Sequence, residues 1–270
     1  MILKDIKMVF IDLDGTSLDS RKKMLSPQNI KAIKKYEERG IKVIISTGRS
    51  LNPTTLKITS QISETRDIIA WNGAKVVKNF VEVFSASIDP QIINDIASLM
   101  QKHKINAIVN SDFKKQTYTD CLFISCAIKF KKGTVNKISD FNPQEPVYKI
   151  IFWSRNKKKY ILFKQELILK FSNQLNIVSS RHNHSEILEV TDIKASKGDG
   201  NLLFAKLCNI NSDNCIHIGD TMNDSTTIGK MKYVIAMKNA TNNFKKVATH
   251  VSPFSYKRGG LAKTLKHFLG

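Results

Sequence analysis

"FIDLDGTSLD", residues 10–19, decides how the rest of the chain is read. An apolar run, Met8-Val9-Phe10-Ile11, stops at Asp12, Leu13, Asp14, Gly15 and Thr16. On a strand, side chains alternate between faces, so Asp12 and Asp14 are expected on one side and Leu13 on the other. Neighbouring carboxylates repel, and each raises the other's pKa. A buried strand that ends this way calls for a positive charge beside it.

The sequence around that strand supplies a parallel sheet. "SPQNIKAIKKYEERG" (26–40) predicts a helix, with Ser26 as N-cap, Pro27 in the first turn and Gly40 at C′. "IKVIISTGR" (41–49) is a second strand, too uniformly apolar for an exposed face. A polar helix over about 51–64 and a third strand, "DIIAWNG" (67–73), complete a βαβαβ run.

From 81 to 188 the grammar changes. A helix over 90–103 leads to short strands over 106–112 and 115–120, then a weakly patterned stretch. A strand (147–154), a helix (157–173) and two adjacent strands (176–182 and 185–191) follow. Strands adjacent in sequence predict hairpins and an antiparallel α+β unit. Parallel grammar then returns: helix 197–208, strand "CIHIGD" (215–220), helix 222–230, strand 233–237, and helices 241–248 and 259–269. The expected fold class is α/β, a Rossmann-like parallel-sheet core (1–80 and 189–270) interrupted by an inserted α+β cap domain (81–188).

Composition sets the bounds. The chain has 270 residues and a formal net charge of +20. Of its 43 basic residues, 36 are Lys and seven are Arg, spread in pairs such as Lys22-Lys23, Lys114-Lys115 and Lys131-Lys132. Arg reads base edges and grips phosphate bidentately, so its scarcity counts against a sequence-specific nucleic-acid reader. The cysteines (121, 126, 208 and 215) form no C-x-x-C pair and read as reduced thiols. Lys4, Asp5 and Lys7 interrupt any signal-type apolar run, and no stretch approaches the ~18 apolar residues of a membrane span. The expectation is a cytoplasmic protein with no membrane partner and no nucleic-acid partner.

In an open parallel sheet, ligands bind beyond the carboxyl ends of the strands. Three strand ends here carry polar chemistry: Asp12-Leu13-Asp14-Gly15, Ser46-Thr47-Gly48-Arg49, and Gly219-Asp220-Thr221-Met222-Asn223-Asp224. Each alone has an ordinary explanation as a turn, junction or cap. Together they answer the problem of charge. Asp12, Asp14, Asp220 and, one turn on, Asp224 would converge as hard oxygen ligands for Mg²⁺, which binds a few carboxylates together with a substrate phosphate. Thr47 and the amides around Gly48, at the start of the next helix, would donate to phosphate oxygens.

Those residues resemble the haloacid dehalogenase (HAD) superfamily and, within it, the Cof-like phosphatases with a large α/β cap. Thr47-Gly48-Arg49, Asn72-Gly73-Ala74, Lys197-Gly198 and the 219–224 segment follow that group's motifs in order, and "AMKNA" (236–240) resembles a later one. The resemblance implies a small phosphorylated metabolite as substrate, such as a sugar phosphate or a nucleotide-type cofactor. Asp12 would be the nucleophile that forms an aspartyl-phosphate, and Asp14 the general acid and then base. Asp12, the Asp14 carbonyl, Asp220 and Asp224 would hold Mg²⁺. Leu13, Thr47, Gly48, Lys197 and Asn223 would hold the phosphoryl group, and the cap would close over the core.

Lys238, Gly200 and the Lys257-Arg258 pair depart from the group's pattern. Arg181, His182 and His184 read as polar residues of a hairpin and are left outside the site. Two alternatives stay open: a phosphotransferase or phosphomutase using the same Asp12, and a basic nucleic-acid-binding protein on a degenerate scaffold.

Overall fold

The computed structural model describes residues 2–19, 24–182 and 185–270; Lys22, Lys23 and His184 lie outside the described residues. The chain divides into two compact units, Met1–Ser85 with Ser196–Gly270, and Ala86–Ala195.

The first unit opens with β1 (Met8–Ile11), α1 (Pro27–Glu38), β2 (Lys42–Ser46), α2 (Pro53–Thr59) and β3 (Ile68–Ala70). A hairpin then runs antiparallel at the sheet edge, β4 (Lys75–Lys78) and β5 (Val81–Ser85). Ser26 caps α1 by accepting the Asn29 amide, with Pro27 in the first turn.

The second unit follows: α3 (Pro90–His103), β6 (Asn106–Val109), β7 (Thr117–Tyr118), α4 (Leu122–Phe130), β8 (Val135–Asn136), β9 (Ile150–Trp153), α5 (Lys157–Phe171), β10 (Leu175–His182) and β11 (Ser185–Asp192). The chain then returns through α6 (Lys197–Leu207), β12 (Cys215–Gly219), β13 (Tyr233–Ala236), α7 (Asn242–Val247), β14 (His250–Val251) and α8 (Gly260–Leu269).

The first unit's sheet has the order β14-β13-β12-β1-β2-β3-β4-β5, with the six strands from β14 to β3 parallel. The central strands, β13, β12, β1, β2 and β3, are buried on both faces, which is why they read as short apolar runs. Val9, Ile11, Val43, Ile45 and Ile218 pack with Ile33 of α1 and Leu261 and Leu265 of α8. Met8, Phe10, Ile44 and Val234 pack on the other face with Phe204 of α6 and Phe244 of α7.

The second unit's sheet has the order β10-β11-β9-β6-β7-β8, antiparallel except for the β7–β8 pair. Ile150, Phe152, Leu188 and Val190 pack against Ile96 and Met100 of α3 and Phe163 and Leu167 of α5. Among the described residues, no helix is long and apolar enough to cross a membrane.

Several elements differ from the sequence reading, each for a local reason. The compact units meet at Ser85/Ala86 and Ala195/Ser196 rather than at 80/81 and 188/189, because β5 pairs with β4 in the first sheet and β11 runs on to Asp192. The stretch between β7 and β9 holds a helix, α4, that its sequence pattern concealed. The expected helix over 222–230 is a short 3₁₀ helix, Met222–Thr227. There the hydroxyls of Ser225, Thr226 and Thr227 donate to the carbonyls of Met222, Asn223 and Asp224, occupying groups that a longer helix would use.

Candidate active site

Register places the site. β1 lies between β12 and β2, with Ile11 opposite both Ile218 and Ile45. The Asp12 amide still donates to the Ile218 carbonyl at 2.9 Å, so the chain leaves β1 beside the end of β12. Asp12, Asp220 and Asp224 thereby converge, each with a carboxylate oxygen within 4.8 Å of the others.

A tight turn, Leu13–Ser17, carries the chain away, closed by the Leu18 amide on the Leu13 carbonyl at 3.0 Å and by Ser17 Oγ on the Asp12 carbonyl at 2.6 Å. Gly15 sits in this turn at φ +76°, and a Cβ there would fall 2.1 Å from Asp220 Oδ2. Only glycine allows that conformation and that approach together.

Lys197 is the cation within the cluster. Ser196 accepts the Asp199 amide and starts α6, which directs the fully buried Lys197 side chain inward. Its Nζ donates to Asp12 Oδ1 at 2.6 Å and to Asp224 Oδ1 at 2.7 Å. Burial alone would depress its pKa, but the charges of Asp12 and Asp224 reverse this and hold the ammonium well above the ordinary lysine value.

Asp224 has no lone pair to spare. Oδ1 accepts from Lys197 and, at 2.8 Å, from His217 Nε2, while Oδ2 accepts the Asp220 and Thr221 amides at 2.9 and 3.0 Å. Burial would raise this carboxyl; Lys197 and His217 outweigh it and hold it below the usual range. His217, fully buried on β12, is met at Nδ1 by the Asn201 amide at 3.1 Å, so its Nε2 carries the proton given to Asp224. Burial keeps this imidazole below the ordinary histidine value against the pull of Asp224.

Asp12 and Asp220 are placed differently. Burial, only partly offset by Lys197, raises Asp12 to about 7. Burial and the charges of Asp12 and Asp224 raise Asp220 as well. Asp220 Oδ1 is buried with no hydrogen-bond partner. An unpartnered buried carboxylate oxygen is costly unless a cation joins it, and a hard divalent ion fits this oxygen-only donor set.

Asp14 departs from the expected pairing with Asp12. Its side chain is 64% exposed and lies in a bidentate pair with Arg49, Nε to Oδ2 at 2.6 Å and Nη2 to Oδ1 at 2.5 Å. The repulsive set at the strand ends is therefore Asp12 with Asp220 and Asp224, and the Asp14 carboxylate stands apart from it.

Thr47 is buried, its amide on the Ile69 carbonyl and its carbonyl accepting the Asn72 amide. Gly48 is not at a helix start: α2 begins at Pro53 and is capped by Asn52, so the amides around Gly48 belong to a loop. Asn223 Nδ2 donates to Asn72 Oδ1 at 3.2 Å. Gly200, a departure from the group's pattern, is explained by packing, since a Cβ there would lie 2.7 Å from Ile69 Cγ2.

Sequence reasoning quoted Asn72 in a motif without giving it a role, and did not single out Arg49 as a partner of Asp14, nor His217 or Asn201. His217 carried a faint signal, a titratable side chain inside a strand that is otherwise apolar.

With this geometry established, the relatives are informative. A family model described as haloacid dehalogenase-like hydrolase matches residues 9–265. Phosphatase YwpJ of Bacillus subtilis is 26% identical, over 98% of this chain and 100% of its own. The 5-amino-6-(5-phospho-D-ribitylamino)uracil phosphatase YcsE of the same organism is 24% identical, over 98% and 96%. A solved haloacid dehalogenase-like hydrolase from B. subtilis superposes with a TM-score of 0.78 at 24% identity, covering 98% of this chain and 100% of that one. The chain belongs to the haloacid dehalogenase-like hydrolases. With relatives named phosphatases along its whole length, it is an enzyme of the phosphatase class.

Proposed function

We propose that this protein hydrolyses a small phosphorylated metabolite, a sugar phosphate or a phosphorylated nucleotide-type compound, in two steps through Asp12. The observation that carries the proposal is the buried Asp12–Lys197–Asp224 arrangement beside the unpartnered Asp220 oxygen. A binding module gains nothing from a buried carboxylate cluster that must be neutralised.

In the first step an Asp12 oxygen forms a bond to phosphorus as the bond to the leaving oxygen breaks, and Asp14 gives that oxygen a proton. In the second, Asp14 takes a proton from water. The water oxygen bonds to phosphorus, and the Asp12 carboxylate is released with inorganic phosphate. Arg49 orients the Asp14 carboxylate from the next strand end. The Leu13 and Gly48 amides, Thr47, Lys197 and Asn223 hold the phosphoryl oxygens, where charge must be stabilised.

Asp12, the Asp14 carbonyl and Asp220 would hold Mg²⁺, with Asp224, its lone pairs already used, acting through Lys197 and the Asp220 loop. When bound there, Mg²⁺ supplies positive charge to the carboxylates and to the phosphoryl oxygens.

Phosphate release from a panel of phosphorylated metabolites tests the proposal. Release should require Mg²⁺ and stop with excess chelator, and Asp220→Ala should lose most of it. Full activity in chelator would remove the metal.

Thermal stability gives a check that does not depend on turnover. Asp12, with its folded value raised, contributes stability at low pH that is lost as pH rises through about 7; Asp220 acts in the same direction. His217, with its folded value lowered, contributes in the opposite sense, its stability lost as pH falls below about 6.5. A metal bound by Asp12 and Asp220 must displace protons from them. The rise in Tm on adding Mg²⁺ should therefore be small near pH 5 and grow through about pH 7. A rise independent of pH would place the metal elsewhere.

Asp14→Asn separates the proton-transfer role. It should slow alkyl phosphates by about 10²–10⁴-fold, the usual value of acid–base help, and slow the first step of an aryl ester much less. Equal losses in the first step for both leaving groups would take Asp14 out of protonating the leaving oxygen.

A further inference from the structure

Helix α4 of the second unit wears its hydrophobic face outward. At 100° per residue, Leu122, Cys126, Phe130 and Phe123 fall within an arc of about 100°. That arc points to solvent: Leu122 is 82%, Phe123 75% and Phe130 91% exposed, and Cys126 is exposed with them. Within the helix only Ile128 is buried. Large apolar side chains scattered singly on a surface need no explanation, but a contiguous stripe on one helix does.

The rim of this stripe is cationic. Lys129, Lys131 and Lys132 are exposed at the C-terminal end of α4. The Lys114 carbonyl accepts the Thr134 amide at 2.7 Å, which brings the exposed Lys114-Lys115 pair to the same end. Lys131 Nζ lies over the Phe113 ring, 5.3 Å from its centroid. No Asp or Glu occurs between 121 and 139. The flanking acids are engaged locally: Asp112 accepts the Lys114 and Lys115 amides, Asp120 accepts the Ile138 amide, and Asp140 accepts the Ser139 hydroxyl.

We propose that α4 and its lysine rim dock the protein on an anionic lipid surface, with Leu122, Phe123 and Phe130 entering the acyl boundary and the lysines meeting lipid phosphates. The charge pattern selects this occupant. A second copy would bring the same cations against these. A single strand of nucleic acid would use Phe123 and Phe130 for stacking but has no use for the aliphatic Leu122. Phe and Leu on one face with lysines around them is the arrangement of an interfacial helix, which lies in the membrane surface without spanning it. The expectation of no membrane partner, which came from the lack of a spanning segment, does not bear on this mode.

Sedimentation with vesicles of phosphatidylcholine, with and without phosphatidylglycerol, tests the proposal. The parent should bind only the anionic vesicles, and the Phe123→Ser/Phe130→Ser double variant, with its charge unchanged, should bind them about tenfold more weakly or worse. Circular dichroism of the double variant reports whether the fold persists. Phe130→Trp in the otherwise parental chain gives a second readout that does not rest on that variant. Its emission should shift to the blue and be quenched by brominated lipid. Failure of the parent to bind, equal binding by parent and double variant, or an unshifted and unquenched tryptophan would each overturn the proposal. So would self-association or single-strand binding that the double variant abolishes while vesicles leave the parent in solution.

Discussion

Asp12→Asn should reduce turnover of every phosphomonoester by more than about 10⁴-fold, the scale on which removing the nucleophile of a covalent mechanism is felt. The amide cannot form the phosphoryl bond, so no leaving group or pH rescues it. The fold should survive the change. Asp12 is raised to about 7 by burial, so above that pH its charge is held at a cost, and a neutral side chain of the same shape relieves it. Lys197 keeps its second partner, Asp224, at 2.7 Å. At pH 8 without metal, the variant should melt at or above the parent's temperature. Loss of activity without loss of stability separates chemistry from unfolding, and near-normal turnover would contradict the assignment of Asp12.

Lys197→Met should be damaging in both respects. It removes the ammonium shared by Asp12 and Asp224 and leaves three converging carboxylates without an internal cation. Breaking a buried ion pair on one side typically costs about 3–5 kcal/mol. For a chain of this size each kcal/mol is worth about 2–4 °C, so Tm should fall by about 6–20 °C at pH 8. Excess Mg²⁺ should recover part of that fall, because a divalent ion can neutralise the same carboxylates. Activity should remain low after the recovery, since the phosphoryl oxygens still lack the lysine. An unchanged Tm would show that Lys197 does not bear the charge balance given to it here.

The core of the fold was legible because the central strands of its sheet are parallel and buried on both faces. Such strands are short apolar runs, and polar residues collect where they end: at Asp12, at Ser46-Thr47 and at Gly219-Asp220. The placement of those ends side by side follows from β1 lying between β12 and β2. The direction of individual side chains was not legible. Alternation placed Asp12 and Asp14 on one face, but β1 stops at Ile11 and the turn at Gly15 sends Asp14 outward to Arg49. Nothing in the local sequence announces a partner 35 residues away. Lys197 could be singled out from the other lysines only by its motif, since its burial depends on contacts with residues far along the chain. His217 and Asn201 form a bond inside the packed core, where sequence spacing carries no information. Helix α4 was missed because nearly every residue from Leu122 to Phe130 is apolar, with Ser125 and Lys129 the exceptions, so no helical period stands out in its sequence.

The most direct test of the account is to mix enzyme with an aryl phosphate, whose leaving group needs no proton, and Mg²⁺, quench rapidly in acid, and locate any phosphorylated residue by mass spectrometry. Asp14→Asn is the variant of choice, because a water molecule without its base should let the intermediate accumulate. The account predicts phosphate on Asp12, present in Asp14→Asn and absent from Asp12→Asn. Phosphate on any other residue, or turnover in Asp12→Asn close to that of the parent, would contradict it.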